Sequence, residues 1–268
     1  LDGWDNRTFR LGDQLSVRMP SATGYVPQVA KEQRWLPLLA PHLPLPIPVP
    51  VAMGRPGAEY PFPWSINRWL PGTPLALTQI DDPVSLARDL AAFLGALYQA
   101  PHQGPVAGAH SFYRGGSLAV YDEETRLVIA QLGDTIDAVA AIRIWDEAIA
   151  AVWTGTPVWV HGDVAVGNLL IEGGQLAAVI DFGCCAVGDP ACDTVMAWTY
   201  FTGESRVEFR RKLPVATDVW IRGRGWALWK ALITINGAGA VDPNAAEVAQ
   251  GVLNAVLAHD FSTNWEQI

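Results

Sequence analysis

The sequence is poor in cysteine and has no long apolar run. Its three cysteines, Cys184, Cys185 and Cys192, lack the spacing of zinc ligands, and an odd number does not suit a disulfide framework. Its apolar runs end well short of the roughly 20 residues that a membrane span needs. The first residues also lack the basic start and apolar core of a signal peptide. We therefore expect a reduced, cytoplasmic protein without a membrane partner.

Positive charge is scarce as well, with 18 Lys and Arg against 27 Asp and Glu and a net charge of −9. Because binding to a nucleic-acid backbone requires a basic surface, we expect no nucleic-acid partner. Residues 1–74 hold 5 acidic and 7 basic residues, whereas residues 75–268 hold 22 acidic and 11 basic ones. The second part would attract a cationic small molecule, although an acidic surface that only contacts solvent is an equal alternative.

The first part of the chain has the pattern of a sheet with one helix. Residues 8–10 and 14–19 flank Gly12-Asp13 and predict a hairpin. Residues 27–39 predict a helix that begins at a favourable proline. The many prolines between residues 41 and 63 then favour extended strands and turns over helix.

The run Pro71-Gly72-Thr73-Pro74 stops the next strand, so we place a hinge at about residues 66–74. It separates a lobe of residues 1–70 from a lobe of residues 75–268. Apolar spacing predicts that the second lobe is mostly helical, with a small hairpin from residues 168–171 and 175–180. The predicted helices lie around residues 86–97 and at 127–141, 145–153, 191–201, 219–235 and 245–257.

Three polar side chains stand on loops between apolar strands in the second lobe. Asp163 follows His161-Gly162, Asn168 comes five residues after Asp163, and Asp181 opens an Asp-Phe-Gly sequence beyond the hairpin. Phosphoryl transfer needs one carboxylate that orients the attacking hydroxyl and accepts its proton. It also needs oxygen ligands for Mg²⁺ on the phosphates. The pattern supplies both.

The order His-Gly-Asp-x-x-x-x-Asn, then Asp-Phe-Gly, then Gly-Asp-Pro-Ala-Cys-Asp at residues 188–193 resembles the aminoglycoside phosphotransferase family, relatives of the protein kinases. The resemblance covers nearly the whole chain. It implies an α+β fold of two lobes, one an antiparallel sheet that binds nucleotide and the other mostly helical. It also implies Mg²⁺-dependent transfer of phosphate from ATP or GTP to a hydroxyl of a small molecule.

The resemblance assigns roles to the matching residues of the second lobe. It implies that Asp163 is the catalytic base and that Asn168 and Asp181 are the Mg²⁺ ligands. It further implies that His161 and Asp193 support the catalytic loop. A simpler interpretation of Asp193 is an acidic residue at the start of a helix.

In the first lobe, residues 3–10, with Gly3, Asp5 and Asn6, resemble the family's phosphate-covering turn, where backbone N–H groups approach the phosphates. Arg18 takes the place of the kinase lysine that pairs with the α- and β-phosphates, and Glu32 is the carboxylate expected to orient it. Taken alone, Arg18 and Glu32 would be surface charges.

Arg68, Trp69 and Leu70 resemble the hinge between the lobes, whose main-chain N–H and C=O groups would bind the adenine edge. A core position is the alternative for Trp69. The preference between ATP and GTP depends on hinge geometry that the sequence does not reveal.

The sequence leaves the acceptor open. An aminoglycoside-like cationic antibiotic is the leading interpretation. The alternatives are a metabolic kinase of choline, homoserine or a sugar, a macrolide kinase with a larger and more apolar substrate, and a nucleotide-binding module without catalysis. The presence of Asp163, Asn168 and Asp181 argues against the last.

Overall fold

The computed structural model describes residues 5–238 and 243–258. Its first region is a four-stranded sheet with one long helix beside it. The strand order is β1-β2-β4-β3, and every neighbouring pair is antiparallel. The elements are β1 (Asn6–Leu11), β2 (Leu15–Pro20), α1 (Val26–Leu39), β3 (Pro50–Gly54) and β4 (Trp64–Arg68).

Local chemistry explains the first region. Gly12 has φ +60° in the β1–β2 turn, a conformation that glycine adopts without strain. Helix α1 has a proline in its first turn, where proline is favourable, and it buries Val29 and Leu36. It also buries Glu32 and Lys31, which are charged. These charges face the rest of the molecule and position the site described below.

The second region is mostly helical, with two small sheets. Residues 69–72 lead into it from β4, and β5 pairs with β7, which pairs in turn with β8. The elements are β5 (Thr73–Pro74), α2 (Pro83–Gln99), α3 (Asp122–Leu132), α4 (Ala138–Ala150), β6 (Val158–Val160), β7 (Leu169–Glu172), β8 (Gln175–Val179), β9 (Ala186–Gly188), α5 (Met196–Thr199), α6 (Gly203–Lys212), α7 (Thr217–Ala238) and α8 (Pro243–Ala258).

One apolar core runs through the second region, where α2 packs on α6 and β6 while α7 packs on α4 and α8. Its largest side chains are fully buried: Phe93, Trp145, Trp159, Phe182, Phe201 and Phe209. Cys184, Cys185 and Cys192 are free thiols. Among residues 5–238 and 243–258, no helix is both long and apolar enough to cross a membrane.

The predicted fold class and the hairpin of β7 and β8 are confirmed, but three predicted helices are wrong in their limits. The helix predicted at 127–141 is two helices, because Gly133 has φ +50° and Asp137 then caps α4 through the Ala140 N–H at 2.9 Å. The helix predicted at 145–153 ends with α4 at Ala150.

The third wrong prediction, a helix at residues 191–201, is a 3₁₀ helix (Pro190–Val195) followed by the short α5. Asp189 caps it through the Ala191 N–H at 3.1 Å. The tighter winding accompanies a tertiary contact, since Asp193 in this segment bonds to the loop after β6.

Candidate active site

The loop that follows β6 carries Asp163 on a tight turn at Gly162. Gly162 has φ +82°, and a Cβ there would lie 2.6 Å from the Cys184 carbonyl oxygen and 3.0 Å from the Arg114 Cβ. Only glycine fits such a close approach without strain. The turn leaves Asp163 exposed in the cleft, whereas its neighbours on both sides are buried.

Asp193 fixes this loop through hydrogen bonds to its backbone. Its fully buried carboxylate accepts hydrogen bonds from the N–H groups of His161, at 2.9 Å, and Gly162, at 2.8 Å. Burial raises the pKa of the Asp193 carboxyl, and the His161 ring and these N–H groups oppose that effect. The carboxylate therefore satisfies two backbone donors that would otherwise be buried without partners.

His161 connects the same loop to the strand before Asp181. Its ring is fully buried, with Nε2 at 3.0 Å from the Ile180 carbonyl oxygen and Nδ1 at 3.2 Å from the Asp163 backbone nitrogen. Only the tautomer with its proton on Nε2 satisfies both contacts. Both ring nitrogens are thus engaged by backbone groups, so His161 fixes the loop and is not placed to abstract a proton from a ligand.

Asn168 lies between Asp163 and Asp181. Its amide nitrogen donates to the Asp163 carbonyl oxygen at 2.9 Å and to Oδ2 of the Asp163 carboxylate at 3.2 Å. The backbone carbonyl oxygen of Asn168 accepts a hydrogen bond from the Ile180 N–H at 2.9 Å, which ties Asn168 to the residue before Asp181. The amide oxygen of Asn168 takes no hydrogen bond from any residue that the structure describes.

Asp181 has a left-handed backbone, with φ +66°, which a residue other than glycine adopts at a cost. The next side chain, Phe182, is fully buried and packs edge to face on His161, with ring centroids 4.6 Å apart. This packing holds the strained turn, which presents the Asp181 carboxylate to the cleft.

Arg18 bridges the two regions. Its Nη1 lies 3.1 Å from Oε1 of Glu32 and its Nη2 lies 2.8 Å from Oδ1 of Asp181. Although burial by itself would raise it, the charge and hydrogen bond of Arg18 hold the pKa of Asp181 below its usual value. Burial raises the pKa of Glu32 against the opposing charge of Arg18. Arg18 therefore points into the cleft between the regions.

Two further residues of α1, both missed in the sequence, attach it to the site. Lys31 is only 8% exposed and donates from Nζ to the Gly183 carbonyl at 2.7 Å, directly after the Asp181 turn. Gln28 donates to the Asp5 carboxylate at 2.9 Å. Their signal in the sequence is weak: polar residues at helical spacing on a helix, which usually mean a solvent-exposed face.

Residues 6–10 of the predicted phosphate-covering segment belong to β1, which pairs with β2 from Asn6 opposite Pro20 to Leu11 opposite Leu15 and contains the strand predicted at residues 8–10. Asp5 lies just before the strand, and Gly3 falls outside the described residues. Burial raises the pKa of Asp5, and the charges of Asp181 and Asp163 add to that rise.

A cavity of about 410 Å³ lies between the sheet and the second region. The predicted residues Asn6, Arg18 and Asp181 line it together with the predicted hinge. Glu32 does not line the cavity but pairs with Arg18, which does. Its walls are formed by Asn6, Thr8, Ser16, Arg18, Pro48, Asn67, Arg68, Trp69, Leu70, Gly72, Pro74, Gly167, Leu170, Ile180 and Asp181.

The hinge differs in one respect from the predicted arrangement. The Trp69 N–H donates to the Gln14 carbonyl at 2.7 Å, so this amide is committed to the first sheet and not to a nucleobase. The Trp69 ring is half-buried and carries the Arg10 guanidinium 4.4 Å from its centroid. Arg68 and Leu70 remain on the cavity wall.

Asn67, also missed in the sequence, lies on this wall just before the hinge. It is 1% exposed, and neither polar atom of its side chain has a hydrogen-bond partner among the residues that the structure describes. A buried amide without partners is costly in a protein. It is therefore a candidate for contact with a ligand at the inner end of the cavity.

A second cavity, of about 380 Å³, adjoins the first at the loop after β6. Asp163 lies on its wall, whereas Asp181 lies in the first cavity. One carboxylate, Asp163, thus faces one cavity, and another, Asp181, faces the other. Among the described residues, no group of three or more His, Cys, Asp or Glu side chains could hold a metal alone. A cation here would need further ligands from a bound molecule.

A sheet region and a helical region with a cleft between them, and with Asp163 and Asp181 on the cavities there, are typical of a kinase-like phosphotransferase. The family model of the phosphotransferase enzyme family, APH, matches residues 1–232. The chain belongs to this family of small-molecule phosphotransferases, which act on hydroxyl groups.

Solved structures of aminoglycoside phosphotransferases share the fold. A mutant of aminoglycoside 2'-phosphotransferase-IIIa with GDP has 19% identity and a TM-score of 0.72, over 97% of this chain and 91% of that one. The GDP and kanamycin complex of APH(2")-IIIa has 20% identity and a TM-score of 0.71, over 97% and 92%. Thermostable APH(4)-Ia has 20% identity and a TM-score of 0.64, over 98% and 94%. No curated protein matches the chain.

Proposed function

We propose that this chain transfers the γ-phosphate of ATP or GTP to a hydroxyl of a small molecule, with Mg²⁺ as cofactor. One observation carries the proposal. The loop after β6 places the Asp163 carboxylate in the second cavity, and Asn168 joins Asp163 to the backbone beside Asp181 in the first cavity. Nucleotide would occupy the first cavity and the acceptor the second, with the transferred group between them.

Asp163 would act as the catalytic base. Its carboxylate is exposed to the acceptor cavity, and one oxygen is oriented by the Asn168 amide at 3.2 Å. The other oxygen is available to accept the proton of an acceptor hydroxyl as that hydroxyl attacks the phosphate.

Asp181 and Asn168 would hold the magnesium ion. A carboxylate and an amide oxygen are the hard oxygen donors that Mg²⁺ prefers, and the remaining ligands would come from phosphate and water. The Asn168 amide suits this role, because its nitrogen is directed to Asp163 and its oxygen is left for a cation. When bound, the ion would neutralise charge on the phosphates.

Arg18 would bind nucleotide phosphate while Glu32 holds its guanidinium in place. Arg18→Ala is expected to weaken Mg·nucleotide binding at least about tenfold, or about 1.4 kcal/mol, and to change acceptor affinity less. It should also destabilise the fold, by up to about 3–5 kcal/mol, because Glu32 is left buried without its partner. Titration calorimetry and chemical denaturation measure the two effects.

Arg143→Ala is the matched control, since Arg143 forms an exposed pair with Glu147, and such pairs contribute at most about 1 kcal/mol. Arg18→Lys keeps the charge but not the fork of donors, so it should lie between wild type and Arg18→Ala. Unchanged nucleotide affinity in a folded Arg18→Ala protein would remove Arg18 from the site.

The function is tested with purified protein, Mg·ATP or Mg·GTP, and a panel of aminoglycosides, macrolides, choline and homoserine. We expect release of nucleoside diphosphate together with an acceptor that gains one phosphoryl group, detected by mass spectrometry. The products should not form without Mg²⁺. Nucleotide binding with no transfer to any hydroxyl compound would instead favour a nucleotide-binding module.

The cationic acceptor remains a candidate. It is supported by the acidic composition of residues 75–268 and by neighbouring structures that contain kanamycin or gentamicin. Both nucleotides also remain candidates, since the neighbours include complexes with GDP and with AMP-PNP.

A further inference from the structure

Several carboxylates of the second region form ion pairs away from the second cavity. Asp189, which is buried, and Asp218, which is partly exposed, both pair with Arg222 at 2.6 Å. Asp122 and Asp146 both pair with Arg126 on the surface. Among the residues that the structure describes, Asp163 is the only carboxylate on the wall of the second cavity. On the part of its wall that the structure describes, the second cavity is therefore not acidic, despite the acidic excess of the sequence.

The walls of the second cavity are mainly apolar. They are built from the catalytic loop, the segment before and within α5, and the facing sides of α7 and α8. The apolar members are Val164, Ala165, Val166, Val195, Trp226, Ala227, Ala231, Ala245, Val248, Ala249 and Val252. The charged members besides Asp163 are both basic: Arg114 and Lys230.

The positive charge of Arg114 is fixed beside the catalytic loop. Its guanidinium lies 4.5 Å from the ring centroid of Trp229 and 5.0 Å from that of Trp226. Arg114 forms no salt bridge with a carboxylate among residues 5–238 and 243–258. An acceptor that approaches Asp163 therefore meets a cation held on two indole rings.

We infer that this cavity binds an apolar alcohol without positive charge and selects against polycationic acceptors. The inference rests on the proposed function, because the cavity is an acceptor site only if the chain transfers phosphate. An ammonium group that entered would lose its water, would meet no carboxylate except Asp163 among the described wall residues, and would face Arg114 and Lys230. An apolar body would instead leave water for the valine and alanine walls.

Three probes of one chain length separate charge from size: dodecanediol, hydroxydodecanoate and aminododecanol, each with a terminal hydroxyl. In titration calorimetry, dodecanediol and hydroxydodecanoate should bind at least about tenfold more tightly than aminododecanol. Dodecanediol affinity should not fall as sodium chloride rises, whereas attraction between ammonium and carboxylate groups would be screened. Kanamycin should bind no more tightly than aminododecanol.

Aspartate substitutions on α8 test whether dodecanediol binds in the second cavity. Val248 is 60% exposed yet lines the cavity, so Val248→Asp should fold and should weaken dodecanediol binding at least about tenfold. Val252→Asp adds a carboxylate deeper on the same wall. Asn254→Asp adds the same charge to an exposed position of α8 that does not line the cavity, and should leave affinity unchanged. Melting temperatures show whether each variant is folded.

Tighter binding of aminododecanol or kanamycin than of dodecanediol would overturn the inference, as would equal affinity for all three probes. Dodecanediol binding that a folded Val248→Asp protein retains in full would also overturn it. Phosphate transfer is measured separately. Transfer to kanamycin without diol binding keeps the proposed function and rejects this inference. Diol binding in the cavity without transfer to any alcohol supports the apolar ligand and rejects the proposed function.

Discussion

Replacing Asp163 with Asn is expected to lower the rate of phosphate transfer about 10²- to 10⁴-fold while Mg·nucleotide still binds. The amide keeps the size of the carboxylate but cannot accept the proton of the attacking hydroxyl. The loop should remain in place, because Asp193, His161 and the Asn168 bond to the Asp163 backbone carbonyl do not depend on the carboxylate. The change should therefore appear in kcat and leave nucleotide affinity nearly constant.

Asp134→Asn is the matched control, since Asp134 is exposed and lines neither cavity. Single-turnover transfer with saturating acceptor measures the chemical step for wild type and both variants. If Asp163→Asn transferred phosphate at nearly the normal rate, another group would have to serve as the base.

Asp181→Ala is expected to weaken Mg²⁺-dependent nucleotide binding by at least about 100-fold, because loss of even an outer-shell partner of a metal costs about 10- to 100-fold. The variant also removes one partner of Arg18, which then pairs with Glu32 alone. Titration of nucleotide at several Mg²⁺ concentrations separates the loss of the metal from the loss of the phosphate contact.

Asp181→Asn tests charge at constant size, and we expect it to retain part of the Mg²⁺ dependence. Unaltered Mg·nucleotide affinity together with unaltered activity in Asp181→Ala would reject the metal assignment. Because Arg18 holds the pKa of Asp181 below its usual value, the carboxylate stays charged at neutral and mildly acidic pH. Its contribution to stability is present above the ordinary aspartate pKa and is lost only as pH falls through the lowered value.

The number of residues that separate two contacting residues along the chain explains which site contacts the sequence reveals. Asp163 and Asn168 are five residues apart in one loop, so their spacing alone brings them together. Arg18 and Asp181 are 163 residues apart, and only the family resemblance linked them. Lys31 and Gly183 are 152 residues apart and belong to no motif, so the sequence analysis missed their contact.

The limits of the helices likewise depend partly on neighbouring residues and partly on distant contacts. The cap of α2 follows from Asp82 before Pro83, and its side chain accepts the Ser85 N–H at 2.9 Å. The segment at residues 190–195 begins in the same way, with Asp189 before Pro190 and the Ala191 N–H at 3.1 Å from the Asp189 carboxylate, so its start has a local signal but its winding does not. Its 3₁₀ winding accompanies the contacts of Asp193 with a loop about 30 residues away.

By itself, the sequence determined the features that depend on neighbours along the chain: the β7–β8 hairpin and the spacing of Asp163, Asn168 and Asp181. Their residues carry the necessary backbone preferences and functional groups within a few positions. Only the tertiary structure decided where the charges act. Trp226 and Trp229 of α7 lie beside the Arg114 guanidinium, and ion pairs with Arg126 and Arg222 engage Asp146 and Asp189 away from the second cavity. Composition records how many charges a chain has, but the walls of a cavity depend on which helices meet there.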